Sequence, residues 1–416
     1  MLQSTMNTTS QTLKGFRDFL PSQMAVRNYV KNVLTQVFEL YGFEPLETPA
    51  LEYSSVLKGK YSSEADEKLG YFFKDNGNRD VGLRYDLTVP VSKVLAIYSN
   101  QIALPFKRYQ IQPVWRAENT QKGRYREFVQ CDIDTFGATS PISDAEIISL
   151  IYTATQKLNF KKFIIRINSR ILLQQILADC DIKKDQNSIL QSLDKFQKIG
   201  QDGVTKELIS KGLNTTQTNR LFECIKQAQP DSDLQKVFNV IKDFNVPPAF
   251  YVFDPTLVRG CDYYTGTIFE TMVEEPAIGA IGGGGRYDKL ISTLGGPDIP
   301  AVGYSFGFER IVDVINELNL IPNLPQTTTK VLVTNFSPEL ENESLKLASL
   351  LRQNGIPCSL YPTSDKMGKQ LKYADSLKIP YVAILGPDEI KNNTITLKNM
   401  VTGQQQTADI NIVLNL

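Results

Sequence analysis

The chain has 416 residues, 42% of them hydrophobic and 22% charged. That is the balance of a soluble globular protein and too much chain for one ordinary core, so two or three domains are expected. Lys+Arg and Asp+Glu both number 45 and histidine is absent. No overall field points to a nucleic acid or a membrane, and a Ser/His/Asp triad, a Cys/His pair and imidazole metal ligands are excluded.

The five cysteines (Cys131, Cys180, Cys224, Cys261, Cys358) are widely spaced and odd in number, which speaks against a disulfide framework or a thiolate metal site and for a reducing, cytoplasmic location. No apolar run approaches the length of a membrane span, and the opening MLQSTMNTTSQTL lacks the apolar region of a secretion signal. Neither secretion nor a membrane partner is expected.

In chain order, Leu20-Pro21-Ser22 opens a helix whose apolar residues (Val26, Tyr29, Val30, Val33, Leu34, Val37, Phe38, Tyr41) recur at three and four, and Gly42 ends it. Residues 43–51 carry Pro45 and Pro49 in an extended stretch that suits an edge strand. Residues 70–137 read as strands and turns, with a hairpin signal at Asn76-Gly77. Within them, 107–136 form two antiparallel strands around the polar loop Asn119-Thr120-Gln121-Lys122-Gly123. A helix follows over about 142–160. Residues 171–245, rich in Gln, Lys, Asp and Leu, read as a mostly helical insertion. Strands return at 250–254 and 266–273, then the glycine run 282–285, read as a packed strand, and a strand-to-helix passage over 301–318. The segment IPNLPQTTT at 321–329 is a linker, and alternating strands and helices beyond it make a small α/β domain.

Without histidine or a cysteine cluster, arginines and tyrosines become the candidates for chemistry. Residues 107–127 hold six Lys/Arg (Lys107, Arg108, Arg116, Lys122, Arg124, Arg126) against two glutamates, a net of +4 in a neutral chain. Guanidinium forks suit phosphate oxygens, and Trp115, Tyr125 and Phe128 offer rings for a purine, although a solvated hairpin face has the same composition. The run LVRGCDYYTGT, read as a strand, places Arg259 and Cys261 on one face and Gly260 and Asp262 on the other. Arg310 stands at a helix start, where the dipole and the guanidinium both favour a phosphate.

Together these segments resemble the histidyl-tRNA synthetases, a family of class II aminoacyl-tRNA synthetases. The blocks are KGFRDFLP, GFEPLETPALE, LRYDLTVP, PVWRAE with QKGRYREFVQCDID, LVRGCDYYTGTIFE, GGGGRYDKL, AVGYSFGFERI and KMGKQLKYADSLKIPYVAILG. The likeness spans about residues 13–412 and is poor only over 171–245. It implies an α+β fold: an antiparallel-sheet catalytic domain over 1–325 with the helical insertion 171–245, and an anticodon-binding α/β domain over 329–416.

The implied reaction joins L-histidine to ATP as histidyl-adenylate and then to the 3′ end of tRNA(His). ATP and its bound Mg2+ are the implied cosubstrate and ion, and a homodimer is implied through 43–51, which looks like the class II dimer motif. By this likeness Arg116, Arg259 and Arg310 are catalytic, and Arg116, Glu118, Arg124, Tyr125, Phe128 and Arg310 hold ATP. Histidine lies among Asp86, Leu87, Thr88, Arg116, Gln130, Asp134, Arg259, Tyr263, Tyr264 and Tyr287. Val129 and Ser169 stand where the family often has histidine. A second reading is an inactive paralogue acting as a regulatory subunit or histidine sensor. Such proteins generally lack the C-terminal domain and lose the RGxDYY block, and this chain carries both.

Overall fold

The apolar stripe near the N-terminus becomes helix α1 (Pro21–Leu40). Val30, Leu34, Val37 and Phe38 on that stripe are buried, and Gly42 closes the helix at φ +75°. The N–H of Gly42 donates to the Glu39 carbonyl and that of Phe43 to Phe38, a glycine-dependent C-terminal cap. The computed structural model describes residues 10–58, 70–120, 123–183, 185–259, 263–276 and 278–416. The expectations for residues 1–9 and for Gln121, Lys122, Gly260, Cys261 and Asp262 fall outside them.

The described chain divides into two compact units, one built on Tyr29–Ile321 and the other combining Pro322–Leu416 with Phe19–Asn28. In the first, β1 (Glu44–Pro45) pairs in parallel with β5 (Phe106–Trp115) at a sheet edge. The strands β2 (Leu51–Tyr53), β3 (Tyr71–Lys74) and β4 (Asp80–Leu83) form a small antiparallel sheet, with α2 (Ser54–Leu57) beside it. The turn between β3 and β4 is held by Asp75, whose carboxylate accepts the Gly77 and Arg79 amides at 2.9 Å each. Helix α3 (Thr88–Tyr98) interrupts a segment expected as strands and turns. Pro90 misleads there, because in the first turn of a helix its missing N–H costs nothing.

The main sheet follows from the long hairpin of β5 with β6 (Glu127–Phe136), whose register pairs Lys107 with Thr135 and Trp115 with Glu127. After α4 (Pro141–Lys157), capped by the Ser140 hydroxyl on the Ile142 amide at 3.2 Å, comes β7 (Phe163–Ser169). The insertion is helical, as α5 (Arg170–Asp179), α6 (Gln186–Leu193), α7 (Phe196–Ser210), α8 (Thr215–Gln227) and α9 (Ser232–Asp243). Then follow β8 (Tyr251–Phe253), β9 (Thr267–Val273), β10 (Ala280–Arg286), α10 (Leu290–Thr293), β11 (Ala301–Phe306) and α11 (Phe308–Glu317). The eight-stranded order is β1-β5-β6-β11-β10-β9-β7-β8, antiparallel except at its two ends.

Read as a strand, LVRGCDYYTGT (257–267) does not form one at its described residues before Thr267. Leu257 and Val258 are consecutive and both buried, at 2% and 4% exposure, which a half-buried strand would not allow. The insertion shares its core with the main fold: Leu193, Val204, Leu208 and Leu221 pack in one cluster with Val91, Phe136, Tyr264 and Tyr287.

The second unit holds β12 (Val331–Val333), α12 (Glu341–Gln353), β13 (Cys358–Leu360), α13 (Met367–Ser376), β14 (Tyr381–Ile384), α14 (Pro387–Asn392), β15 (Ile395–Asn399), β16 (Gln405–Ala408) and α15 (Asn411–Leu414). Its sheet runs β13-β12-β14-β15-β16, with a closing β15–β16 hairpin that the sequence reading did not anticipate. Alternation along β12 sends Val331 and Val333 into one core and Leu332 into another on the opposite face.

Candidate active site

Two cross-strand rows supply the floor of a cavity of about 570 Å3 through Arg166, Glu270, Gly283, Ser305, Asp132, Gly303 and Asp134. Arg166, Glu270, Gly283, Ser305, Asp132 and Gln110 are successive register partners from β7 across to β5. Two residues along, and therefore on the same face, run Asn168, Ile268, Gly285, Gly303, Asp134 and Arg108. The glycines keep this floor open. A Cβ on Gly283 would overlap the Arg259 guanidinium, and one on Gly303 would overlap the Asp134 carboxylate. On the opposite face, a Cβ on Gly282 would fall on the buried Tyr304 hydroxyl, which donates to Thr271 at 2.7 Å.

One end of the cavity is acidic and aromatic. The Tyr287 hydroxyl donates to Asp134, and the wholly buried Arg108 forms an ion pair with the other oxygen of that carboxylate. Burial nevertheless pushes Asp134 up to about 7, against the pull of Arg108, and the neighbouring Asp132 charge adds to the rise. Burial likewise raises Asp132 to about 6, opposed by Arg108 and by the Ser305 hydrogen bond. Gln130 donates to the two Asp132 oxygens at 3.3 and 3.2 Å. Asp86 accepts the Val89 amide at 3.0 Å and so caps the first turn of α3. The Tyr263 ring lies 4.8 Å from that of Tyr264 and 5.7 Å from that of Tyr287.

The other end is cationic. Arg116 anchors its Nε on the Tyr85 carbonyl at 2.9 Å, beneath the Phe128 ring at 5.1 Å. Arg259 donates to Glu270 at 2.8 Å, and Arg310 donates to the Ala280 carbonyl at 2.6 Å. Burial and the charges of Arg124 and Arg259 all disfavour the Arg310 cation. Converging guanidiniums that repel one another are a site for an anion. Arg124 stands 3.6 Å from Glu118, and Tyr125 lies under the Arg17 guanidinium, 3.2 Å from the ring centre.

Asp86, Thr88, Arg116, Glu118, Arg124, Tyr125, Phe128, Gln130, Asp134, Arg259, Tyr263, Tyr264, Tyr287 and Arg310 all line this cavity. Leu87 does not; its side chain is wholly buried in the core. The basic segment 107–127 needs a correction, because much of its charge is spent elsewhere. Arg108 is paired with Asp134, Lys107 with Glu146 at 2.7 Å, and Arg126 donates to the Glu118 carbonyl at 3.2 Å. Trp115 does not line the cavity either, and donates to Glu127 at 2.7 Å.

Asp132, Glu270 and Ser305 line the cavity unanticipated. The alternation of VQCDIDTF carried the signal for Asp132, two residues from both Gln130 and Asp134.

A family model described as histidyl-tRNA synthetase matches residues 15–311, and one described as an anticodon binding domain matches 330–416. A histidine–tRNA ligase of Clostridium tetani is 39% identical, over 96% of this chain and 95% of its own length. The chain belongs to the histidyl-tRNA synthetase family. One from Cytophaga hutchinsonii is 38% identical over 94% of this chain and 96% of its own. The crystal structure of histidyl-tRNA synthetase from Nostoc sp. PCC 7120 superposes with a TM-score of 0.86 at 30% identity, covering 98% of both chains. The α+β architecture is thus that of the histidyl-tRNA synthetases. Among the described residues no group of three or more His, Cys, Asp or Glu could hold a metal ion, and no helix is long and apolar enough to cross a membrane.

Proposed function

We propose that the chain is a histidine–tRNA ligase that activates L-histidine with ATP and transfers it to the 3′ end of tRNA(His). The observation that carries this reading is the joining of an acidic, aromatic pocket and a cluster of arginines over one glycine-floored sheet face. The first end suits an amine and an imidazole, the second a polyphosphate.

In this reading the α-amino group meets Asp86 and Thr88, beside the backbone of Leu87. Asp134 and Tyr264 address the two ring nitrogens, with Gln130, Tyr263 and Tyr287 closing the pocket. A site that hydrogen-bonds both nitrogens rejects analogues lacking them by about 10⁴–10⁵. The histidine carboxylate is already ionised near neutral pH and attacks the α-phosphorus in line, so no side-chain base is required. Arg116 and Arg259 bind the α-phosphate and the attacking carboxylate, stabilising charge as it moves to the leaving pyrophosphate. Phe128 stacks the adenine, Glu118, Arg124 and Tyr125 serve the rest of the nucleotide, and Arg310 covers its opposite side.

Magnesium fits as an ion carried with ATP, because such sites need only one or two carboxylates beside the phosphates. Glu118 lines the cationic end, whereas both Glu270 oxygens face arginines. The ion would neutralise phosphate charge. A homodimer through the edge strand β1, anticodon recognition by 330–416 and a cytoplasmic location complete the reading. The inactive-paralogue alternative gains nothing, since Arg116, Arg259 and Arg310 are all present in the cavity. Charging of tRNA with radiolabelled histidine tests the proposal. Stable histidyl-tRNA is expected, and its absence with tRNA(His) from several sources would overturn the transfer step.

A further inference from the structure

Arg259 directly follows the buried Leu257 and Val258. It reaches across to β9, where its Nη1 donates to Glu270 Oε1 at 2.8 Å, and its guanidinium lies over Gly283, the register partner of Glu270 on β10. The other Glu270 oxygen faces Arg166 Nη1 at 3.4 Å from the adjoining strand, where Arg166 and Glu270 are again register partners. Arg166 is itself buried and fixed from behind: its Nε donates to Asp254 at 2.5 Å and its Nη2 to the Thr256 hydroxyl at 3.2 Å. Asp254 in turn accepts the Thr256 amide at 2.8 Å and its hydroxyl at 2.6 Å. The helical insertion joins the same chain. With the Gln197 amide oriented to satisfy its neighbours, its oxygen accepts from both terminal nitrogens of Arg166, at 2.8 and 2.5 Å.

From this arrangement we infer that Glu270, backed by Arg166 and by Gln197 of the insertion, is a positioning residue that sets where the Arg259 guanidinium stands over the cavity floor. The inference rests on the proposed adenylation reaction and deepens it.

The physical reason is the form of the chain. A long arginine side chain has many rotamers, and ordering it in each turnover would cost entropy at the moment of reaction. A carboxylate bonded to one terminal nitrogen fixes the plane and direction of the whole guanidinium fork. Glu270 could not do this alone, because its own carboxylate would swing. Arg166 fixes it on the far side, and Asp254 and Thr256 fix Arg166. Gly283 removes the one side chain that would lift the guanidinium off the floor. Gln197, at the second position of α7, gives the insertion a hydrogen-bonded path to the same arginine.

The test is histidine-dependent ATP–pyrophosphate exchange on the full-length protein for wild type, Arg259→Ala, Glu270→Gln, Glu270→Ala and the Arg259→Ala/Glu270→Ala double variant, with thermal unfolding recorded for each. Glu270→Gln is expected to lower kcat by about 10–100-fold, the scale of a roughly 1 Å misplacement, with little change in KM for histidine. In the Arg259→Ala background, Glu270→Ala should cost less than about two-fold, because a residue acting through Arg259 has nothing left to act on. Independent, multiplicative losses in the double variant would overturn the inference, as would near-normal kcat in Glu270→Gln. Loss of folding in Glu270→Ala would move the same comparison to the Gln variant in both backgrounds. Wild type without histidine-dependent exchange would instead reject the proposed function.

Discussion

Tyr287, just past the end of β10, donates its hydroxyl to Asp134 on β6, 153 residues away in the chain. Arg108 from β5 closes on the same carboxylate. Three segments therefore fix one acidic group in a setting that raises it to about 7.

This placement should give the proposed reaction an acid limb. The Tyr287 hydrogen bond favours the Asp134 carboxylate, so Tyr287→Phe should raise that group further and leave more of it protonated at neutral pH. KM for histidine should increase by about 10-fold, as for loss of a hydrogen bond to a charged group. The acid limb of kcat/KM should move to higher pH. A pH–rate profile of both proteins measures this, and an unshifted limb would remove Asp134 from histidine recognition.

Stability should carry the same signature with the opposite benefit. Asp132 and Asp134 both rise on folding from 3.8, to about 6 and about 7. Between roughly pH 4 and 7 the native state binds protons that the unfolded chain has released, so these groups' stability contribution falls as pH rises. Asp132→Asn should therefore gain on wild type as pH increases through that window. Denaturant unfolding at pH 4.5 and 7.5 reads the difference, and a constant gap would contradict the assignment.

Arg259→Ala should slow adenylate formation by about 10²–10³, the scale seen for removal of a single donor to developing charge. The fold should be intact by circular dichroism. Near-normal exchange would sink the role.

The floor glycines should separate binding from chemistry. Gly303→Ala pushes on Asp134 and should raise KM for histidine, while Gly283→Ala pushes on Arg259 and should lower kcat. Each adds a methyl group to a packed surface, at a stability cost of about 1–3 kcal/mol. Steady-state kinetics of the two variants would be expected to diverge; identical profiles would mean that the floor acts only as a scaffold.

Arg17 donates to Glu309 at 2.5 Å while stacking on Tyr125, and Glu309 also accepts the Val129 amide at 3.2 Å. Glu309→Ala should cost about 1.5–3 kcal/mol of stability, the value of hydrogen bonds to a charged group. KM for ATP should rise as Tyr125 loosens. Thermal unfolding and ATP titration check both effects.

Local pattern made much of this fold legible. The three-four spacing in α1, the alternation in β6 and the glycine run of β10 each specified an element without reference to distant residues. The site was legible chiefly through its family motifs. Asp132 was legible in the alternation of VQCDIDTF but overlooked, whereas Glu270 and Arg17 were hidden because their roles arise from strand register or from contacts across hundreds of residues. Arg108 misled for the same reason: counted by charge it belongs with the arginines of the cationic end, yet register sets it against Asp134. The strand reading of LVRGCDYYTGT failed for the converse reason: spacing of the polar residues suggested alternation, while Leu257 and Val258 are both buried in a loop.

In the proposed reaction one cavity joins a histidine pocket to an ATP site. Histidine-dependent ATP–pyrophosphate exchange, run with each of the other amino acids in parallel, tests it most directly. Exchange with histidine alone is the predicted result, and exchange with no amino acid, or with a different one in preference, would contradict it.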